Sequence, residues 1–218
     1  RADSFTIEEL ARKLRDARLD PALGEADQKK MNSEFASAAP VVTVRTTDPS
    51  GSSQIEVRKT ITAATGGSTF YAKSSVADGA HKLLIELGNE LEKGVNDFRD
   101  KKLFEFGFSD PGKIELKHNG ATRTFTRNLN KWTEGSKELK PETIQVFIDR
   151  MRELKAKSFL AEGRKIKPEI EISVTSQDGK KTETVRVGDG VAARGDELAI
   201  YELDASGIEE LRKQAANI

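Results

Sequence analysis

The side chains best suited to chemistry are carboxylates crowded near glycines. GDGVAARGDE, at 188–197, sets Asp189, Asp196 and Glu197 in such a stretch. A calcium loop of the D-x-[DN]-x-[DN]-G type needs a different spacing and a later Glu, so strand turns account for these glycines. The tripeptide Arg194-Gly195-Asp196 resembles an adhesion motif, but it arises easily by chance in a chain this charged. His81 and His118 are the two histidines, far apart in sequence, and cysteine is absent. A zinc site therefore lacks ligands, and disulfides and thiol catalysis are excluded. Carboxylate pairs such as Glu8-Glu9 and Glu209-Glu210 lie beside Lys and Arg on polar helix faces. Acid–base work needs carboxyls whose pKa values are driven apart by burial. ATGGSTF lacks the ending of a phosphate loop, and neither G-x-S-x-G nor H-E-x-x-H occurs. No catalytic residue, metal or cofactor is expected. A hydrolase using carboxylates assembled only by folding is the remaining catalytic alternative.

One further stretch mixes chemistry with packing. FRDKKLFEFGF, at 98–108, interleaves Arg99, Lys101 and Lys102 with phenylalanines. Basic and aromatic side chains together can grip nucleic acid by stacking. Here Asp97, Asp100 and Glu105 cancel the field, and the whole chain balances 36 Lys and Arg against 36 Asp and Glu. Nucleic acid is not an expected partner. Packing between two folded units is the expected role of the rings. Arg99, Lys101, Lys102, Tyr71 and Trp132 stand as interface candidates.

The elements that must hold these residues are readable from periodicity. TIEELARKLR puts Ile7, Leu10, Ala11 and Leu14 on one helical face, with Thr6 and Glu9 spaced as a capping box. Residues 20–40 read as a polar link. VVTVRTT and SQIEVRKT alternate about the turn DPSG, and STFYAK and HKLLIEL read as further strands. Asn89 is placed to cap a helix carrying Leu91, Val95 and Phe98. After DPG at 110–112, Asn119-Gly120 signals a type I′ hairpin. Leu129 and Trp132 suggest a short third strand. Pro141 suits the first turn of a helix striped by Ile144, Phe147, Ile148, Met151 and Leu154. EIEISVT, KTETVRV, VAAR and LAIYEL follow as strands, and SGIEELRKQAA as the last helix.

These elements repeat. TIEELARKLR (6–15) aligns without a gap to TIQVFIDRMR (143–152), VTVRTTDPSGSSQIEV parallels IEISVTSQDGKKTETV, and KLLIEL parallels AIYEL. The order helix, hairpin, two strands, helix occurs twice. The fold expected is α+β: duplicated modules of twisted antiparallel sheet with helices packed on one face, at 1–108 and 109–218. The strands at 112–132 precede the second copy, and their counterpart for the first would lie before Arg1.

FRDKKLFEFGFSDPGKIELKHNG resembles the DUF4340 domain family, a bacterial family of unknown function. The resemblance lies in the FRDKKLF element at 98–104, the strand pair at 113–127, Trp132 before a helix, Tyr201–Asp204, and YAKSS at 71–75. It implies a parent protein with one N-terminal membrane span, the remainder outside the cytoplasm, and company with ABC-type export components resembling those of gliding systems. It implies no catalytic residues. No stretch of this chain approaches the roughly 18–20 apolar residues of a span, so membrane contact is expected only through an upstream anchor. The resulting expectation is a non-catalytic, periplasmic binding or scaffold domain serving an ABC-type assembly. The alternative is a small-molecule, glycan or peptide binder using a cleft between the modules.

Overall fold

The computed structural model describes residues 1–18, 24–61, 66–107, 111–129, 131–176 and 179–218. Pro21 and Phe108, and parts of the expected turns at 64–68, 110–112 and 176–180, lie outside the described residues. The fold is α+β, with an antiparallel sheet in each of two compact units, Arg1–Asp100 and Lys101–Ile218.

The first unit opens with α1 (Ser4–Asp16). Its cap is Asp3, whose side chain accepts the Thr6 N–H at 2.9 Å, in place of the expected Thr6 capping box. α2 (Glu25–Ser37) occupies the segment read as a polar link. Its apolar signal is slight, with Met31 and Phe35 packing one turn apart. A four-stranded meander follows: β1 (Ala39–Asp48), β2 (Gly51–Ile61), β3 (Ser68–Ser74) and β4 (Ala77–Leu83), in sequential order. Alternation along β3 sends Phe70 to one face, with Val57, Leu87 and Leu91, and Tyr71 to the other, with Phe35 and Ala80. This sheet therefore carries α2 on one face and α1 with α3 (Ile85–Glu92) on the opposite face. The expected strand HKLLIEL divides at Leu84, and Asn89 lies inside α3 rather than at its cap. Gly88 permits the division: a Cβ there would lie 2.3 Å from the Phe70 ring, so its absence lets α3 settle on β3. Val95, expected on an inner face, is exposed in the 3₁₀ turn Val95–Phe98. The ends of the unit are tied together. The Asp3 N–H donates to the Phe98 carbonyl at 2.8 Å, and the Asp100 N–H to the Arg1 carbonyl at 3.1 Å.

The second unit holds a nine-stranded sheet. β5 (Lys113–His118), β6 (Ala121–Asn128), β7 (Lys131–Glu134) and β8 (Lys137–Glu138) form a meander running to one edge. Asn119 and Gly120 both take positive φ in the expected hairpin turn. α4 (Pro141–Glu153) begins on its proline. β9 (Ser158–Leu160) ends the sheet on the far side, beyond β10 (Ile170–Ser176), β11 (Lys181–Gly188), β12 (Val191–Arg194) and β13 (Ile200–Glu202); α5 (Ala205–Asn217) closes the chain. β10 alternates buried Ile170, Ile172, Val174 and Ser176 with half-buried Glu171, Ser173 and Thr175. The buried face packs on Phe147, Ile148 and Met151 of α4 and Ile208 and Leu211 of α5. Leu129 is 94% exposed in a positive-φ turn, outside the third strand it was expected to mark.

Setting aside α2 before β1 and β9 before β10, the order of helix, four-strand meander and helix thus occurs twice, as α1, β1–β4, α3 and as α4, β10–β13, α5. The two leading hairpins close differently. Asp48 pairs with Gly51, whereas Ser176 pairs with Lys181 across a longer loop. Val44 faces Ile55 as Ile172 faces Val185, so Ile55 corresponds to Val185, where the ungapped alignment sets it against Glu183. Contacts divide the chain at Asp100/Lys101, where the sequence placed the division at 108/109. Leu103, Phe104 and Phe106 account for the shift, since all three belong to the buried core of the second unit. Among the described residues, no helix is long and apolar enough to cross a membrane.

Candidate functional site

The sequence-derived candidates scatter. Tyr71 is buried under α2, where its hydroxyl donates to Glu34 Oε2 at 2.7 Å. Burial and the Glu34 carboxylate hold its phenol above the ordinary value. Trp132 is buried in the core of the second unit. Arg99 is half-buried, its backbone bridged to Ala2 and its guanidinium donating to Asn96 Oδ1 at 3.3 Å. Lys101 and Lys102 expose their side chains, while their backbone joins the second unit: Lys101 accepts the Ala156 N–H at 2.8 Å, and Lys102 bridges Lys155.

The segment following these lysines is held by a charged cluster that the sequence reading missed. Arg194, on the core face of β12, has a side chain 1% exposed, and Glu183 on β11 has one 2% exposed. The Arg194 guanidinium donates to the Leu103 carbonyl, lies 3.3 Å from Glu183 and bonds Asp196 at 2.8 and 3.0 Å. Glu183 Oε1 in turn accepts the Glu105 N–H at 2.8 Å. Glu197, 3.2 Å from Arg194, accepts from the Tyr201 hydroxyl. Burial opposes the charge on Arg194, but the hydrogen bond to Asp196 and the fields of Asp196 and Glu183 outweigh it and hold the pKa above its ordinary value. Within the Arg194-Gly195-Asp196 tripeptide, Arg194 is thus turned inward as a clamp on residues 103–105, while Asp196, its side chain 62% exposed, pairs with the guanidinium from the surface. The clue available in sequence was an arginine and a glutamate at apolar phases of β12 and β11.

The surface with the most ordered chemistry is the face of the nine-stranded sheet turned away from α4 and α5. Cross-strand register arranges its residues in rows. Thr122, Lys117, Glu171 and Arg186 form one row, Thr124, Glu115, Ser173 and Thr184 the next, and Thr126, Lys113, Thr175 and Thr182 a third. Adjacent strands lie about 4.8 Å apart, so the groups make a regular lattice. Lys117 donates to Glu171 at 2.7 Å and Arg186 at 2.8 Å, and those bonds hold the Glu171 carboxyl below its ordinary pKa against the opposing effect of burial. The Ser173 and Thr184 hydroxyls lie 2.9 Å apart, and those of Thr175 and Thr182 3.2 Å apart. Such a lattice offers pre-positioned donors and acceptors on a rigid support. The alternating threonines of TRTFT and KTETV were its legible signal.

Fold and surface together define a class: an antiparallel α+β module built twice, its second copy presenting a polar sheet face. The chain belongs to the DUF4340 family, whose model, described as a domain of unknown function, matches residues 1–170. That match takes in FRDKKLF, the β5–β6 hairpin and Trp132, and stops before Tyr201–Asp204. No curated protein and no solved structure matches the chain.

Proposed function

We propose that the chain is a non-catalytic docking module that acts outside the bacterial cytoplasm, in the service of an ABC-type export assembly. The observation supporting docking is the hydroxyl-and-charge lattice on β5, β6, β10 and β11. A rigid sheet whose polar groups are already paired and ordered loses little conformational freedom when a partner settles on it. Its mixed charge favours a protein partner over a polyanion. The export assembly and the extracytoplasmic setting derive from the family's expected company, so they are tested apart from the surface.

A photo-crosslinking residue at Thr124 or Ser173, in the protein expressed in its native membranes, is expected to capture a transporter component. The same residue at Glu209 on α5 is expected not to. Equal capture at all three positions, or no capture of a membrane component, counts against the proposal. Labelling of an engineered cysteine at Thr124 by a membrane-impermeant reagent in intact spheroplasts tests the compartment.

A further inference from the structure

The two modules differ at both sheet edges, and most at the leading strand. In the second, β10 is paired on both sides, with β11 and with β5, the latter antiparallel from Ile170↔His118 to Thr175↔Lys113. In the first, the corresponding β1 pairs with β2 and ends the sheet. The opposite edge of that sheet is blunted: Gln28 of α2 donates to the Ala80 carbonyl at 2.9 Å, and Asn32 accepts the Ala80 N–H at 2.9 Å. Exposed sheet edges invite added strands, and proteins commonly cover them. Here one edge is covered, while ten-residue β1 shows half-buried and exposed residues throughout.

The helix above tells the same story. In α4, Ile144, Phe147, Ile148 and Met151 are all buried, and α4 packs against β7 as well as α5. Their counterparts in α1 are Ile7, Leu10, Ala11 and Leu14, and α1 has no buried residue; Ile7 is 42% exposed. A cavity of about 370 Å³ remains between Leu14 and the Val44 and Ile55 side chains.

We propose that β1 is an acceptor edge, completed by an antiparallel strand of a partner polypeptide as β5 completes β10. The second module defines the chemistry of that strand. β5 sends Ile114 and Leu116 into the core and sets Lys117 opposite Glu171 on the other face. On β1 that other face carries Thr43, Arg45 and Thr47, so the charge is reversed. The incoming strand alternates apolar side chains, directed beneath α1, with acidic ones facing Arg45. A second copy of β1 fits poorly, because it would set another Arg45 against an edge strand whose residues on that face are Thr43, Arg45 and Thr47. The closing pair Asp48↔Gly51 places the outward main-chain groups at Thr43, Arg45 and Thr47. This surface belongs to the first unit and is independent of the polar lattice in the second.

The probe is an end-blocked synthetic peptide, Thr-Ile-Glu-Leu-Glu-Ile-Thr, with a version carrying Lys for Glu as control. Saturating peptide is expected to slow amide exchange at Thr43, Arg45 and Thr47 in the 218-residue chain, with the Glu peptide binding more tightly than the Lys peptide. Arg45→Glu is expected to invert that preference. Thr43→Pro, which removes an outward donor from an edge strand that tolerates proline, is expected to weaken binding about tenfold while leaving exchange in β3 and α3 unchanged. No protection by either peptide overturns the proposal. So does a preference untouched by Arg45→Glu. Protection of β1 without peptide at dimer mass assigns the edge to a second copy, and at monomer mass, in this chain or in one extended upstream of Arg1, to the protein's own polypeptide; either result also overturns it.

Discussion

Arg194 is the residue on which the buried charged cluster of the second unit converges. A buried arginine facing Glu183 is tolerated only while every charge has a partner. Arg194→Ala is expected to cost about 3–5 kcal/mol, because it leaves the Glu183 carboxylate buried beside an unbonded Leu103 carbonyl. Arg194→Met with Glu183→Leu is expected to recover much of that loss, and urea titrations of both variants measure it. Glu171 makes a different prediction. Its folded carboxyl titrates below the ordinary 4.5, so its ion pairs stabilise the fold above that value. The contribution disappears as the pH falls through the depressed folded value. Glu171→Gln is therefore expected to lower stability at neutral pH by about 0.2–1 kcal/mol per lost pair, with the difference from the unmodified protein closing in acid. Residue roles of this kind were barely legible in sequence. Arg194 read as part of a chance tripeptide because nothing local shows that Leu103, 91 positions away, supplies the carbonyl to be satisfied.

At the level of elements, the sequence was most readable where a period was long and clean. α4 formed where its stripe and proline placed it, and the hairpin at Asn119-Gly120 turned as its backbone preferences require. Reading failed at α2, whose large apolar residues amount to Met31 and Phe35 one turn apart and whose helix is stabilised by tertiary contacts. Among these is Phe35, with the Arg58 guanidinium 4.7 Å and the Lys73 ammonium 5.0 Å from its ring centroid. It failed again at Leu84, where an unbroken apolar run hid a change from strand to helix. Gly88 offers a test of that junction. Alanine is ordinarily about 1 kcal/mol better than glycine inside a helix, yet Gly88→Ala is expected to destabilise by about 1–3 kcal/mol through its clash with Phe70. The helices of the repeat are also unequal. Met151→Ala is expected to cost about 2–5 kcal/mol, and Leu14→Ala, on a helix with no buried residue, distinctly less; thermal melts of the pair compare them.

At the scale of the whole molecule, the duplication was visible in the order of elements, while the division between units was not. Phenylalanines in a charged run looked like a joint, because sequence cannot show which core a ring enters. Phe104 and Phe106 enter the core of the second unit, their centroids 5.8 Å apart. A fragment of residues 101–218 is accordingly expected to fold cooperatively. A fragment of residues 109–218 lacks Leu103, Phe104 and Phe106, leaves Arg194 and Glu183 without main-chain partners, and is expected to give a broad, non-cooperative melt. Dispersed amide spectra from both fragments would contradict this assignment of the segment. The hydrogen bonds joining residues 1–3 to 98–100 have a mechanical consequence. Tension arriving at Arg1 and leaving through Asp100 passes across that short bridge, and the intervening helices and meander ride unloaded as a closed loop. Pulled at those two points, the unit bears load first on that bridge, and its sheet is reached only after the bridge unzips.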